Sequence, residues 1–407
     1  MDNPAKTLKH WLVLAVACGI SASSVGITMN VIGVFYTPVS QDLGIYRGTF
    51  AMHATLASLA LAVISLFFTP LLYRFGWKKV LISGVMLASF STMAMAFTTQ
   101  IWIFNLLGLL RGVGAGLYSM IPLSMIVNNW FEEKKGLAMS LSFGSTGIAG
   151  AIFSPIFTTL INTIGWESSF IAMGITMILL ALPAILYRYE LNPKDEGLLP
   201  YGYTENGSVT HQTSERSDPK NFSYKRAAFL IISFIALTHT SITGISQHLP
   251  GYAESNELSI QVGGYLLSAV MIGNITFKLI IGSLSDWLGI IKSSVIMLML
   301  NALSIVMLLT LSNPYVLIFS AFLFGTVFTI PAVALPLLTT ELFGKQLYAR
   351  VYPILSFAAG IGGAFSMTFV GYAYDFTGSY AIAFTLGLVF IAINIPLLFL
   401  AQKHSLT

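Results

Sequence analysis

The sequence predicts an all-α membrane protein: twelve transmembrane helices in two pseudo-symmetric six-helix bundles. Three observations predict it. Long apolar runs fill the chain, seventeen of the twenty Lys and Arg residues fall in alternate breaks between those runs, and one long polar stretch parts six runs from six. A helix needs about 20 residues to cross about 30 Å of hydrocarbon, and backbone groups in lipid must bond within their own segment. Runs such as 80–98 and 380–401 have that length.

The spans follow in order. The first, 11–37, is longer than a signal-peptide core and shows no small-residue cleavage site, so the chain is expected to keep its N-terminus. The second, 48–72, stops before Arg74, Lys78 and Lys79, and the third, 80–98, and fourth, 101–127, lead to Lys134 and Lys135. Spans 136–162 and 169–188 complete the first bundle, with Glu167 between them. Spans 227–250 and 261–285 precede Asp286 and Lys292, then 293–311 and 315–340 run to Glu341. Arg350 opens 351–372, and 380–401 ends before Lys403. The domains read as 1–188, a cytoplasmic linker 189–226, and 227–407.

If the N-terminus is cytoplasmic, the cytoplasmic breaks hold those seventeen basic residues and the outer breaks hold only Arg47. Lys/Arg bias sets orientation, so a multi-pass plasma-membrane protein with both termini in the cytoplasm is expected. Arg111 and Lys278 remain, and both fall inside apolar runs.

With 56% hydrophobic and 9% charged residues and a mean hydropathy of +0.80, the chain suits lipid as its solvent and excludes a soluble enzyme. The basic balance, +4 at pH 7, is the loop bias just counted and implies no nucleic-acid partner. A single cysteine, Cys18, excludes an internal disulfide and reads as packing. There is no Gly-x-x-x-x-Gly-Lys-Ser/Thr loop, no metal-ligand cluster and no nucleophile–base spacing, so neither a cofactor, a metal nor an enzyme is expected.

The halves resemble each other at an offset near 212 residues. Gly76 answers to Gly289, Phe131 to Phe343, and Gly150, Phe153 and Ser154 to Gly362, Phe365 and Ser366. A shared offset at equal depth favours a six-plus-six duplication and alternating access about a midplane site.

The break after span eight runs Gly282-Ser-Leu-Ser-Asp286-Trp-Leu-Gly289-Ile-Ile-Lys292, and it resembles the cytoplasmic loop signature of the major facilitator superfamily. Its partner, Tyr73-Arg74-Phe75-Gly76-Trp77-Lys78-Lys79, is similar but degenerate: Thr69 and Tyr73 stand where the family shows Gly and Asp. Glycine allows a tight turn, and the opposite charges can pair across helix ends in one access state. Arg74, Gly76, Lys78, Gly282, Asp286 and Gly289 are therefore the gating residues the resemblance implies. Arg111-Gly-Val-Gly114-Ala-Gly116 is similar to the family's span-four pattern. Two further stretches, Asn129-Trp130-Phe131-Glu-Glu-Lys134-Lys135-Gly136-Leu137-Ala138 and Asp195-Glu-Gly197-Leu-Leu-Pro200-Tyr-Gly202, resemble the monocarboxylate-transporter family, including its bacterial lactate-type and oxalate/formate-exchange branches. Neither stretch is expected to touch substrate.

An ionised side chain at mid-bilayer costs about 2.5–3.5 kcal/mol on insertion scales, which marks it as functional by default. Lys278 lies on span eight one turn after Asn274, so an ammonium and a carboxamide share one face and can hold a carboxylate. The family typically carries Arg there, and lysine keeps the charge without the bidentate fork. The plainer reading is a lysine that snorkels to the surface. Arg111 reads either as an anion or proton-linked group or as a buried guanidinium bonded to helix-end carbonyls or a neighbouring polar side chain. Tyr118, seven residues on, matches an aromatic cavity position of the family, or packs. His239 and His53 are the proton-coupling candidates, each weighed against a neutral buried histidine with one hydrogen bond. His248 and Tyr252 read as gate or rim. No Asp or Glu lies deep in a predicted span, and the family's second basic position in span eleven aligns with Ala359, which favours a monoanion.

The function expected is secondary transport of a small monocarboxylate (lactate-, pyruvate- or formate-like) by proton symport or anion exchange. Lys278, Asn274, Tyr118, Arg111 and Phe328 would contact substrate, and a proton or counter-anion would be the second partner. The alternative is a carrier or efflux pump for a larger neutral or amphipathic solute. A monomer is expected to suffice.

Overall fold

The computed structural model describes residues 4–203 and 227–405. The expected linker therefore lies partly outside the described residues, from 204 to 226. Among the described residues, eleven helices are long and apolar enough to cross a membrane. They are α1 (Leu8–Asp42), α2 (Arg47–Phe75), α3 (Trp77–Phe97), α4 (Ile101–Trp130), a helix Lys135–Leu186, α7 (Ala227–Ser255), α8 (Ile260–Leu288), α9 (Ile290–Thr310), α10 (Pro314–Gly344), α11 (Arg350–Thr377) and α12 (Ala381–Ser405). The 52 residues of Lys135–Leu186 would make about 78 Å of straight helix, over twice the hydrocarbon thickness. That helix breaks at Gly165, where φ is 82° and ψ 165°, into α5 and α6. The crossings among the described residues thus number twelve, as the apolar runs predict.

Apolar residues fill the interior and also cover the surface, and many polar residues are buried among them. Phe90, Leu179 and Leu279 are exposed, while Ser23, His53, Arg111 and Asn301 are fully buried. Many buried Ser and Thr hydroxyls donate to the carbonyl one turn back, as Thr92 does to Ala88 and Ser294 to Ile290. A hydroxyl bonded within its own helix can sit in an apolar setting.

The chain divides into two units, Met1–Val39 with Leu56–Val209, and Ser40–Thr55 with Thr210–Thr407. Every third helix is irregular along its length. In the first unit α1 carries a π segment at Ala22–Ile27 and a 3-10 turn at Ile32–Phe35, and α4 is interrupted at 117–119. In the second, α7 is interrupted at 241–243, and α10 has a 3-10 turn at Gly325–Phe328 followed by a π segment at Ile330–Ala334. The π segment of α10 contains Pro331, which lacks an N–H and loosens the ladder. Pro122 and Pro38 likewise remove the bonds to the Tyr118 and Val34 carbonyls, inside the α4 interruption and the 3-10 turn of α1, whereas the π segment of α1 and the interruption of α7 contain no proline.

In the first unit the two stretches that resemble monocarboxylate transporters meet each other. Tyr201 pairs with Phe131 as an isolated parallel bridge, and the Tyr201 N–H donates to the Trp130 carbonyl at 2.8 Å. The Glu132 and Glu133 amides both donate to the Tyr201 carbonyl at 3.0 Å. The Trp130 indole donates to Glu190 and the Asn129 amide to Leu191, each at 2.9 Å. Residues 187–203 thus form a strap over the ends of α1 and α4, where Lys9 pairs with Glu196 and His10 bonds the Leu199 carbonyl.

Candidate functional site

Arg111 sits on α4 in the first unit, completely buried. Its neighbour Gly112 lets α2 come close, because a Cβ there would lie 2.1 Å from the Ala57 carbonyl oxygen. None of the three guanidinium nitrogens has a hydrogen-bond partner among the described residues, and no carboxylate pairs with it. The helix-end carbonyls of the plainer reading do not take it up. The buried phenol of Tyr36, on α1, is a neighbour and is uncharged. A guanidinium is charged at any relevant pH, so this site lacks a counter-charge.

Tyr118 lies at the interruption of α4. Its hydroxyl meets Ser23 Oγ at 3.1 Å, and Ser23 donates to the Met177 carbonyl at 2.8 Å. The phenol therefore ties α4 to the π segment of α1 and to α6.

Lys278 and Asn274 lie on α8 in the second unit. Asn274 is buried and its Oδ1 has no hydrogen-bond partner, while the half-buried Lys278 has no ion pair among the described residues. The α8 backbone at Asn274 touches α10 directly, since a Cβ on Gly325 would lie 2.4 Å from the Asn274 nitrogen. That contact brings in the 3-10 turn that carries the half-buried Phe328. His239 approaches the same turn from α7. Its Nε2–H donates to the Val327 carbonyl at 2.9 Å, and its buried Nδ1 has no partner. Asn274, Phe328 and His239 are thus gathered on the irregular turn of α10.

His53 is elsewhere, with Nδ1 on the Phe50 carbonyl, and His248 bonds the Met367 carbonyl at 2.7 Å. The loop residues divide. Gly76 and Gly289 share one backbone geometry, φ 82° and ψ 154° against φ 80° and ψ 155°. Gly282 is inside α8 with open space where a Cβ would go. Asp286 is exposed and Arg74 lies over Phe75. The Lys78 ammonium donates to the Ala184 and Tyr187 carbonyls at 2.6 and 2.7 Å, which caps α6. Sequence reasoning missed Tyr36 and Ser23, which sit 75 and 95 residues from their partners with no local motif to mark them.

Residues 18–367 and 229–406 match the family model described as Major Facilitator Superfamily. The chain belongs to the major facilitator superfamily. It is a membrane transporter of that family and not an enzyme. Among its relatives, the uncharacterized MFS-type transporter YhjX of Escherichia coli is 27% identical over 317 residues, 75% of this chain and 74% of that one. Monocarboxylate transporter 12-B of Danio rerio is 25% identical over 336 residues, 76% of this chain and 69% of that one. The crystal structure of the nucleoside transporter NupG superposes with a TM-score of 0.70 at 13% identity, covering 97% of this chain and 98% of that one. That likeness speaks for the fold alone.

Proposed function

We propose that this transporter carries small monocarboxylate anions by alternating access. The observation that carries the proposal is a pair of membrane-embedded cations, Arg111 and Lys278, one in each unit and neither with a carboxylate partner among the described residues. An isolated cation in a low-dielectric interior is costly, and a transported anion would relieve that cost. The monocarboxylate transporters among the relatives support the choice of a single carboxylate. Lys278 supplies the charge, the Asn274 amide orients the carboxylate, and Phe328 offers an apolar surface to the remainder. Coupling runs either by anion exchange or with a proton that His239 Nδ1 accepts while Nε2 keeps its bond to Val327. The Lys/Arg distribution supports cytoplasmic termini. Each chain holds both cations, so the proposed working unit is a monomer.

Equilibrium binding to purified protein tests the reading. Lactate, pyruvate and formate should bind wild type and lose affinity at least about tenfold in Lys278→Gln, the scale of one charge-assisted hydrogen bond. Binding of neutral or amphipathic solutes that is indifferent to Lys278→Gln, with no acid bound, would transfer belief to the second reading. The closed environment of Arg111 favours that reading, because a fully enclosed guanidinium can also act as structure alone.

A further inference from the structure

Lys78, at the start of α3, reaches across to the end of α6. Its ammonium holds the Ala184 and Tyr187 carbonyls there and stands 4.4 Å from the centroid of the Tyr189 ring. Carbonyls at a helix C-terminus attract a cation, and Lys78 takes up that attraction. The next residue on each side of this clamp is also basic. Lys79 follows Lys78 and Arg188 follows Tyr187; both are exposed, and neither has an ion pair among the described residues. The carboxylate two residues beyond Arg188, that of Glu190, is close enough to act on Lys78. Three cations thus gather with one carboxylate at this corner of the first unit, and the carbonyls already hold one of the three.

The two helices stay in contact away from the clamp, since a Cβ on Gly174 would lie 2.7 Å from the Ser89 carbonyl oxygen. One flank of each is covered. On α3 the cover is α4, where a Cβ on Gly114 would lie 2.5 Å from the Ala88 nitrogen, and on α6 it is α1, where Ser23 donates to the Met177 carbonyl at 2.8 Å. The side that remains is apolar and exposed, with Ile82 and Phe90 from α3 and Leu179 and Leu186 from α6. Lys79 shares the helical face of Ile82 and Phe90, and Arg188 follows Leu186 by two residues. An apolar face with two uncompensated cations at one end complements an amphiphile with an anionic head.

We propose that Lys79 and Arg188 bind the phosphodiester headgroup of an anionic phospholipid whose acyl chains lie along the apolar face that α3 and α6 share. Basic side chains at the end of a membrane-spanning face stand at headgroup depth, where anionic lipid attracts each of them. Arg188 can offer two parallel N–H donors to phosphate oxygens, and Lys79 a point charge. Tyr187 and Tyr189, on either side of Arg188, stack with ring centroids 6.5 Å apart, and tyrosine is a residue type enriched at that depth. The inference is independent of the substrate.

Native mass spectrometry of the full chain in detergent, mixed with dioleoyl phosphatidylglycerol or dioleoyl phosphatidylcholine, tests it. Wild type should bind the phosphatidylglycerol about tenfold or more tightly than the phosphatidylcholine, and Lys79→Gln combined with Arg188→Gln should abolish that preference, the scale of two interfacial charges. Lys292→Gln combined with Lys403→Gln removes the same charge from the second unit and should retain the preference. All four side chains are exposed, so each variant keeps the fold. Glycerol phosphate, the headgroup without its chains, should not displace the lipid. A preference that survives loss of Lys79 and Arg188, or that falls equally in both double variants, would overturn the proposal; displacement by glycerol phosphate would overturn it in favour of a soluble phosphate ester.

Discussion

Replacing Gly289 by alanine would place a Cβ on a backbone at φ 80° and ψ 155°, a region open essentially to glycine alone. The same holds at Gly76. Each substitution should cost about 1–3 kcal/mol, read as a lowered Tm of the purified protein. Gly282→Ala, helical and with room for the methyl, should leave Tm unchanged or raised. The loop signature gives these glycines equal standing in sequence, and only the backbone separates them. Arg111 allows a second residue-scale prediction. Exchange of a buried ionic group for an apolar one of similar volume is often neutral or stabilising by about 1–4 kcal/mol, so Arg111→Met should hold or raise Tm while transport is lost. A fall in both would make Arg111 a structural residue.

At the scale of elements, the strap 187–203 accounts for two sequence stretches that carry no substrate chemistry. Tyr201→Ala removes the ring that packs on Phe131 and Trp11 at 5.8 and 5.7 Å. Hydrogen exchange should accelerate in 190–203 and in the first turn of α1, and remain unchanged in α8 through α12. Protection retained in the strap would show that backbone bonds alone hold it. Helix number and order were legible in sequence because lipid demands one apolar run per crossing. The α5–α6 turn also followed from run length, and Gly165 supplies it with a single residue. The interruptions carried sequence marks but not their exact places: α7 breaks within the polar run Thr238-His239-Thr240-Ser241, α4 three residues before Pro122, the 3-10 turn of α1 three residues before Pro38, and α10 at Pro331, while packing sets which residues depart from the helix. Gly362 closes on α7, where a Cβ would lie 2.2 Å from the Leu237 carbonyl, but Gly360 faces open space, and spacing alone could not distinguish the two.

At the scale of the whole molecule, the candidate site was legible where charge was out of place: Arg111 and Lys278 stand out in any apolar run. The surroundings of the site residues were not, because Tyr36 is brought to Arg111, Ser23 to Tyr118 and Val327 to His239 by tertiary contacts alone. Arg47 was visible as the exception to the basic-residue asymmetry, yet its bond to the Tyr380 hydroxyl required the fold. Charge economy unites these observations. A chain with 9% charged residues places two cations in its spans without a carboxylate partner among the described residues and a third against Tyr380 and Glu254. The central claim, that the two membrane-embedded cations serve an anion, is tested most directly by uptake of labelled lactate, pyruvate and formate into proteoliposomes. Vesicles would be compared with and without an inward proton gradient, empty or preloaded with the same acid, for wild type and Lys278→Ala. Saturable uptake of at least one acid, driven by the gradient or by the preload and abolished in Lys278→Ala, is the predicted result; uptake that survives the mutation, or no saturable uptake of any acid, would contradict it.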